Sequence, residues 1–237
     1  MATRYIKSIF IKQTLSYFKN PGFIATPVMF LTMTALFQWL LVGEDDTANF
    51  ANVFSIIFVA MSMVGTATAL IMEDKMTSNL RFMSMAGVKP WQYLLGTGLS
   101  LALSSFIVLI LFALIGGFRG EDLAMFFAIT MAGAVTSILL GITLGLLKLP
   151  LLSMPISMVL AFINIIADAN ETVDMLSTFI YTRQIHLVLN RETLADVEYP
   201  DLPVYIDVNH AIMIILINLV VVIIFFLISN LKNTLEK

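Results

Sequence analysis

The apolar positions of this chain fall in long unbroken runs, not in alternating or one-faced patterns. Six runs, residues 23–42, 53–72, 94–115, 123–147, 151–167 and 211–228, are mainly apolar and separated by charged or Pro/Gly-bearing joints. An α-helix needs about 17 to 25 such residues to cross a hydrocarbon layer about 30 Å thick. Backbone in lipid must satisfy its own hydrogen bonds, so each run predicts a spanning helix.

Three stretches between and before the runs mix apolar and polar residues. In residues 4–19, Ile6, Ile9, Phe10 and Phe18 interleave with Arg4, Lys7, Lys12 and Lys19. That pattern predicts a helix at the membrane interface with its bases near anionic headgroups, or the same helix packed on other protein. Asn20-Pro21-Gly22 then turns the chain into the bilayer. The joint 73–93 predicts a short surface helix, with Leu80, Met83 and Met85 among polar neighbours, a stop at Gly87 and Pro90 beyond. The joint 168–209 carries an amphipathic stretch, Met175 to Leu189, and an acidic return through Tyr199-Pro200-Asp201-Leu202-Pro203. It predicts one or two helices dipping into the outer leaflet, and is too short for a core of its own. No repeat or linker divides the chain. The expectation is therefore an all-α membrane protein in one domain, residues 1–237. It has six transmembrane helices, an N-terminal interfacial helix, a cytoplasmic helix after the second span and external amphipathic helices.

Composition agrees: 59% of residues are hydrophobic and only 12% charged, far too little polar material to cover a soluble globule. Sorting the bases by alternate joints puts ten Lys and Arg on the side of both termini and leaves Arg119, Arg183 and Arg191 opposite. Thirteen of the sixteen acids lie on that opposite side. Bases collect in the cytoplasm, so both termini are expected there, in a cell membrane of bacterial type. Bases are scattered through Arg4 to Lys19, so a cleavable signal peptide is not expected. The absence of cysteine removes disulfides, thiol catalysis and Cys-based metal sites.

Within the six runs there is no Asp, Glu, Lys, Arg or His. Ionisable groups at that depth mark proton relays and ion-coupled sites, so a proton-coupled carrier and an intramembrane protease are both disfavoured. A sodium-coupled carrier built on broken helices stays open. Gln38, Asn164 and Asn218 are the polar candidates for a substrate route, with an interhelical hydrogen bond as the plainer role. Gly133, Ser137, Gly141 and Gly145 form a small-residue ridge for close helix packing, inside one subunit or across a dimer. Gly96, Ser100 and Ser104 form a shorter one. Pro155 either starts or bends the fifth helix. His186 and His210 lie outside the lipid core and no metal site is expected of them. Gly96-Thr97-Gly98 is an incomplete dinucleotide fingerprint, and no G-x-x-x-x-G-K-[ST] loop occurs, so neither catalysis nor ATP binding is expected of this chain.

The segment Met72-Glu73-Asp74-Lys75-Met76-Thr77, then Leu80-Arg81, Val88-Lys89-Pro90-Trp91 and Leu94-Leu95-Gly96, resembles the stretch after the second span in type-2 ATP-binding-cassette (ABC) exporter permeases. Met76 stands where that family has glycine. The layout of the rest is similar, with a longer and more acidic external joint. The resemblance implies that Thr77 to Met85 is a coupling helix seated in a nucleotide-binding ATPase subunit. Leu80, Met83 and Met85 would give apolar contact and Lys75 and Arg81 charge, with Thr77 at the helix start. It implies two permeases, identical or different, and two ATPases that bind ATP and Mg, exporting a hydrophobic or amphipathic substrate such as a peptide. The rival expectations are a sodium-coupled carrier, and a membrane scaffold or an enzyme acting through His186 or Glu192 of the external joint.

Overall fold

The computed structural model describes residues 2–41, 50–147, 149–190 and 208–232. The helices are α1 (Ala2–Lys19), α2 (Pro21–Leu41), α3 (Phe50–Met76), α4 (Asn79–Met85), α5 (Pro90–Ile115), α6 (Gly120–Leu146), α7 (Pro150–Ala169), α8 (Glu171–Ser177), α9 (Tyr181–Leu189) and α10 (Val208–Lys232). Six of them, α2, α3, α5, α6, α7 and α10, are long and apolar enough to cross a membrane. The chain is a multi-pass membrane protein of the all-α class. Lys148, Arg191, Glu192 and the acidic return through Pro203 lie outside the described residues.

The helices run further than the apolar runs. α3 continues to Met76 and so includes Glu73, Asp74 and Lys75; α6 begins with Glu121 and Asp122 in its first turn; α7 carries Asp168 in its last turn. Charge inside the spanning helices is thus confined to their ends, where acids at an N-terminus also complement the helix dipole. α7 starts at Pro150 and runs on through Pro155, which lies inside the helix. A single π turn, Phe58–Ser62, lies within α3.

α3 is the central helix, buried along most of its length; α2, α5, α6 and α7 pack against it, and α10 packs on α6 and α9. Lipid is as apolar as leucine, so helices in it associate through close packing and interhelical hydrogen bonds. The ridge on α6 supplies the packing. A Cβ on Gly141 would come within 2.5 Å of Val64 O, one on Gly145 within 2.8 Å of Ile71 Cβ, and one on Gly133 would collide with Ile185 Cδ1. Thr68 Oγ1 donates to Gly141 O at 3.0 Å, and Ser137 Oγ pairs with the Tyr181 hydroxyl at 2.7 Å. The ridge therefore serves α3 and α9 inside the subunit.

The shorter ridge decides the place of α1. A Cβ on Gly96 would meet Ile9 Cγ2 at 2.8 Å, and Thr14 Oγ1 pairs with Ser100 Oγ at 3.0 Å. α1 thus lies along the first turns of α5 with Ile9, Gln13 and Tyr17 buried, while Lys7 and Lys19 stay exposed. The Tyr17 ring stacks on Phe23. Burial pushes its phenol up to about 12.

Candidate functional site

The joint between α3 and α5 is built on one carboxylate. Asp74 sits on the buried stripe of α3 that carries Ala67, Leu70 and Ile71, and is only 5% exposed. An ionised side chain there must be paired or accept hydrogen bonds. Four donors meet it: Lys12 Nζ at 3.1 Å and Asn79 Nδ2 at 3.0 Å on Oδ1, and Gln13 Nε2 at 2.6 Å and the Tyr93 hydroxyl at 2.7 Å on Oδ2. One side chain of α3 thereby ties together α1, α4 and α5. Lys75, the next residue, turns to α6 and donates to Gly145 O at 2.9 Å and Leu146 O at 2.7 Å. It closes the carbonyl end of that helix, where a cation is favoured.

α4 projects from this base. Thr77 and Ser78 form the turn into it, Ser78 with a left-handed φ of 58° and Thr77 Oγ1 donating to Glu73 O at 2.8 Å. The helix starts at Asn79, two residues after the expected Thr77. It ends in a Schellman turn, with Gly87 at a φ of 79° and Val88 N donating to Met83 O at 3.0 Å. Its two sides differ. Leu80 is 9% exposed and Met83 packs against the core, whereas Phe82 and Met85 are 62% and 67% exposed, with Arg81 also outward. Met76 and Trp91 extend the exposed apolar surface on either flank.

Of the residues expected to contact a partner, Arg81, Met85 and Thr77 are at the surface, Met83 is half-buried, and Leu80 and Lys75 are committed to the chain's own packing. Phe82, which the sequence pattern does not single out, is exposed as well. Leu80 and Met83 lie three apart on one face and Phe82 and Met85 three apart on another. Spacing marks both pairs equally, and only the fold decides which one faces out.

The opposite end of the bundle has its own polar cluster. Arg183, on α9 and nearly buried, bonds Asp168 Oδ1 through Nη1 at 2.6 Å and Asp174 Oδ1 through Nη2 at 2.7 Å. His186 Nε2 lies 3.2 Å from Asp168 Oδ2, and its Nδ1 lies 3.1 Å from Asn190 Nδ2. Asn190 Oδ1 in turn accepts from Asn52 Nδ2 at 3.1 Å. These bonds hold α9 against α3 and α7, deeper in the bundle than a surface helix. α8 is the outward one, with Met175 and Leu176 exposed and Phe179 exposed in the turn that follows it. Among the described residues, no three His, Cys, Asp or Glu side chains are grouped to hold a metal ion.

The three route candidates separate. Gln38 Oε1 accepts from Phe50 N at 3.1 Å and so caps α3. Asn218 Nδ2 donates to Phe179 O at 2.8 Å and Ile214 O at 2.9 Å. Both do the plainer bonding work. Asn164 is buried, and its Oδ1 has no hydrogen-bond partner among the described residues. No protein-family model, curated protein or solved structure matches the chain.

Proposed function

We propose that the chain is the permease subunit of an ABC exporter. In this reading a separate cytoplasmic ATPase binds ATP and Mg, a second permease completes the pathway, and a hydrophobic or amphipathic substrate, with peptides the leading class, leaves the cell between the two. The chain contributes no catalytic group of its own. The observation that carries the reading is α4: a short helix that presents Phe82, Met85 and Arg81 outward from a base fixed by the four-donor Asp74 cluster. Contiguous exposed apolar side chains rimmed by charge are the signature of a protein contact. A contact that transmits force needs a stiff mounting, and a buried carboxylate shared by four helices provides one.

The test is purification in gentle detergent from the native membrane, with identification of whatever co-purifies and assay of ATP hydrolysis. Recovery of a P-loop ATPase from the unmodified chain, and its loss from Phe82→Asp and Met85→Asp variants that insert and unfold normally, is the expected result. Leu80 is the wrong position for this test, because its replacement perturbs the core. Recovery of the chain without an ATPase even after cross-linking, or undiminished recovery with both variants, would defeat the proposal.

A further inference from the structure

α1 has two faces, and the fold uses only one. Ile9, Gln13 and Tyr17, four apart, are buried in the bundle. On the opposite side Arg4, Lys7, Ile11, Leu15 and Phe18, three or four apart, are all exposed. This row changes character along the helix: its first half is basic and its second half apolar. Lys19 follows in the last turn and is exposed as well. Residues 1–20 contain no Asp or Glu. Lys12 is held by Asp74, and among the described residues Arg4, Lys7 and Lys19 form no ion pair.

Packing on α5 sets the depth of that row. The apolar run of α5 begins at Leu94. Ile9 meets Gly96, two residues or about 3 Å inside the run, and Thr14 meets Ser100, six residues or about 9 Å inside. α1 therefore slants from the headgroup layer into the edge of the hydrocarbon, the depth of an interfacial helix. Arg4 and Lys7 precede the crossing, and Ile11, Leu15 and Phe18 follow it. Long side chains on a helix lean toward its N-terminus, which carries the Lys19 ammonium back toward the headgroups. The change from basic to apolar along the row thus coincides with the change in depth along α5.

We infer that the outer face of α1 is a binding site for anionic phospholipid of the leaflet it enters. Arg4, Lys7 and Lys19 take the phosphate oxygens, which the guanidinium fork fits in pairs, and Ile11, Leu15 and Phe18 lie among the acyl chains. A soluble partner reaches the basic half of the row and not the half beneath the hydrocarbon edge. A second copy of the chain would set one basic face against another, and like charges repel. The inference rests on the six spans and does not depend on the permease reading.

The experiment uses the full chain, which has no cysteine, so that Leu15→Cys carries a single apolar fluorophore on this face. In nanodiscs of mixed lipids, quenching by brominated phosphatidylglycerol is compared with quenching by brominated phosphatidylcholine. At low ionic strength the anionic lipid is expected to be favoured at least about fivefold, the effect of about 1 kcal/mol from one base, and the preference falls toward one at about 1 M salt. Arg4→Gln, Lys7→Gln and Lys19→Gln, at exposed positions that tolerate change, each reduce it, and the triple variant abolishes it. The same fluorophore on Leu176→Cys, exposed at the other end of the bundle, reports no anionic preference. Quenching by neither lipid would mean that protein or water covers the face, and would overturn the inference. Equal quenching by both lipids, an equal preference at Leu176, or a preference that the triple variant keeps would overturn it too.

Discussion

Replacing Asp74 is the sharpest test of how the α4 end is held. In Asp74→Leu the four donors lose their shared acceptor, but they do not suffer equally. Gln13 and Tyr93 are almost wholly buried, and each unpaired group costs about 1–3 kcal/mol. Asn79 is half-buried and the Lys12 side chain is 42% exposed. Water replaces their bonds, and the Lys12 ion pair is worth at most about 1 kcal/mol. The sum is a loss of about 2–7 kcal/mol, which brackets the range of about 3–5 kcal/mol for breaking a buried charged network. In Asp74→Asn the shape survives: the Tyr93 hydroxyl rotates to accept, the Gln13 amide flips, and only the charge assistance goes, a loss of about 1–2 kcal/mol. Lys12→Gln costs less than either. Denaturant unfolding in mild detergent gives the order Leu, then Asn, then Lys12→Gln. Limited trypsinolysis at Lys7 and Lys12 reports whether α1 has come away from α5. An Asp74→Leu protein within about 1 kcal/mol of the parent, or a Lys12→Gln change that costs as much, would refute the reasoning. The second outcome would mean that an exposed ion pair, and not the buried acceptor, holds the joint.

Other substitutions probe the packing and the surface. Gly141→Ala places a Cβ against the Val64 carbonyl and should lower stability by about 1–3 kcal/mol. Gly65→Ala and Gly98→Ala meet nothing within 4 Å and should be neutral or up to about 1 kcal/mol stabilising in thermal unfolding. Leu80→Ala opens a hole in the core and should cost about 2–4 kcal/mol. Arg81→Glu should change stability by less than about 0.5 kcal/mol while reducing ATPase recovery. Tyr17 holds its proton up to about 12 in the fold and to about 10 when unfolded. Its share of stability is therefore complete below pH 10 and falls as pH rises toward 12. Tyr17→Phe should remove that share of the alkaline slope without loss at neutral pH, because the hydroxyl has no partner among the described residues.

The six spans are legible in the sequence because lipid imposes one requirement, about 20 apolar residues, that local composition meets or fails on its own. The ridge on α6 is legible for a similar reason: residues four apart share a helix face. What that ridge faces is not legible. Gly141 says that something comes close, and only the fold names Val64 and Ala67. Asp74 sets the same limit more sharply. Its acceptors' partners are 61, 62 and 19 residues away in Gln13, Lys12 and Tyr93, and no spacing rule links them. A signal was nevertheless present: Asp74 continues the stripe of Ala67, Leu70 and Ile71, and Gln13 continues the stripe of Ile6, Ile9 and Tyr17. A polar residue on a buried stripe requires a partner on another element. Two such residues near one end of the bundle are grounds to expect that they meet.

The two ends of the bundle differ in how fully their polar groups are paired. At the α4 end every donor around Asp74 has found its acceptor, so that cluster is structural and the chemistry it offers is the surface it holds up. At the far end Arg183, Asp168, Asp174 and His186 satisfy one another, and Asn164 Oδ1 does not find a donor among the described residues. Closed networks fix a fold, whereas a buried acceptor without a donor carries an energetic cost. Among the polar residues of the spans, Gln38 and Asn218 belong to the first kind and Asn164 to the second. Exchanging them should show it in denaturant unfolding: replacing Gln38 or Asn218 with leucine lowers stability, while Asn164→Leu raises it or leaves it unchanged. If all three lowered stability alike, the unpaired state of Asn164 would carry no energetic cost.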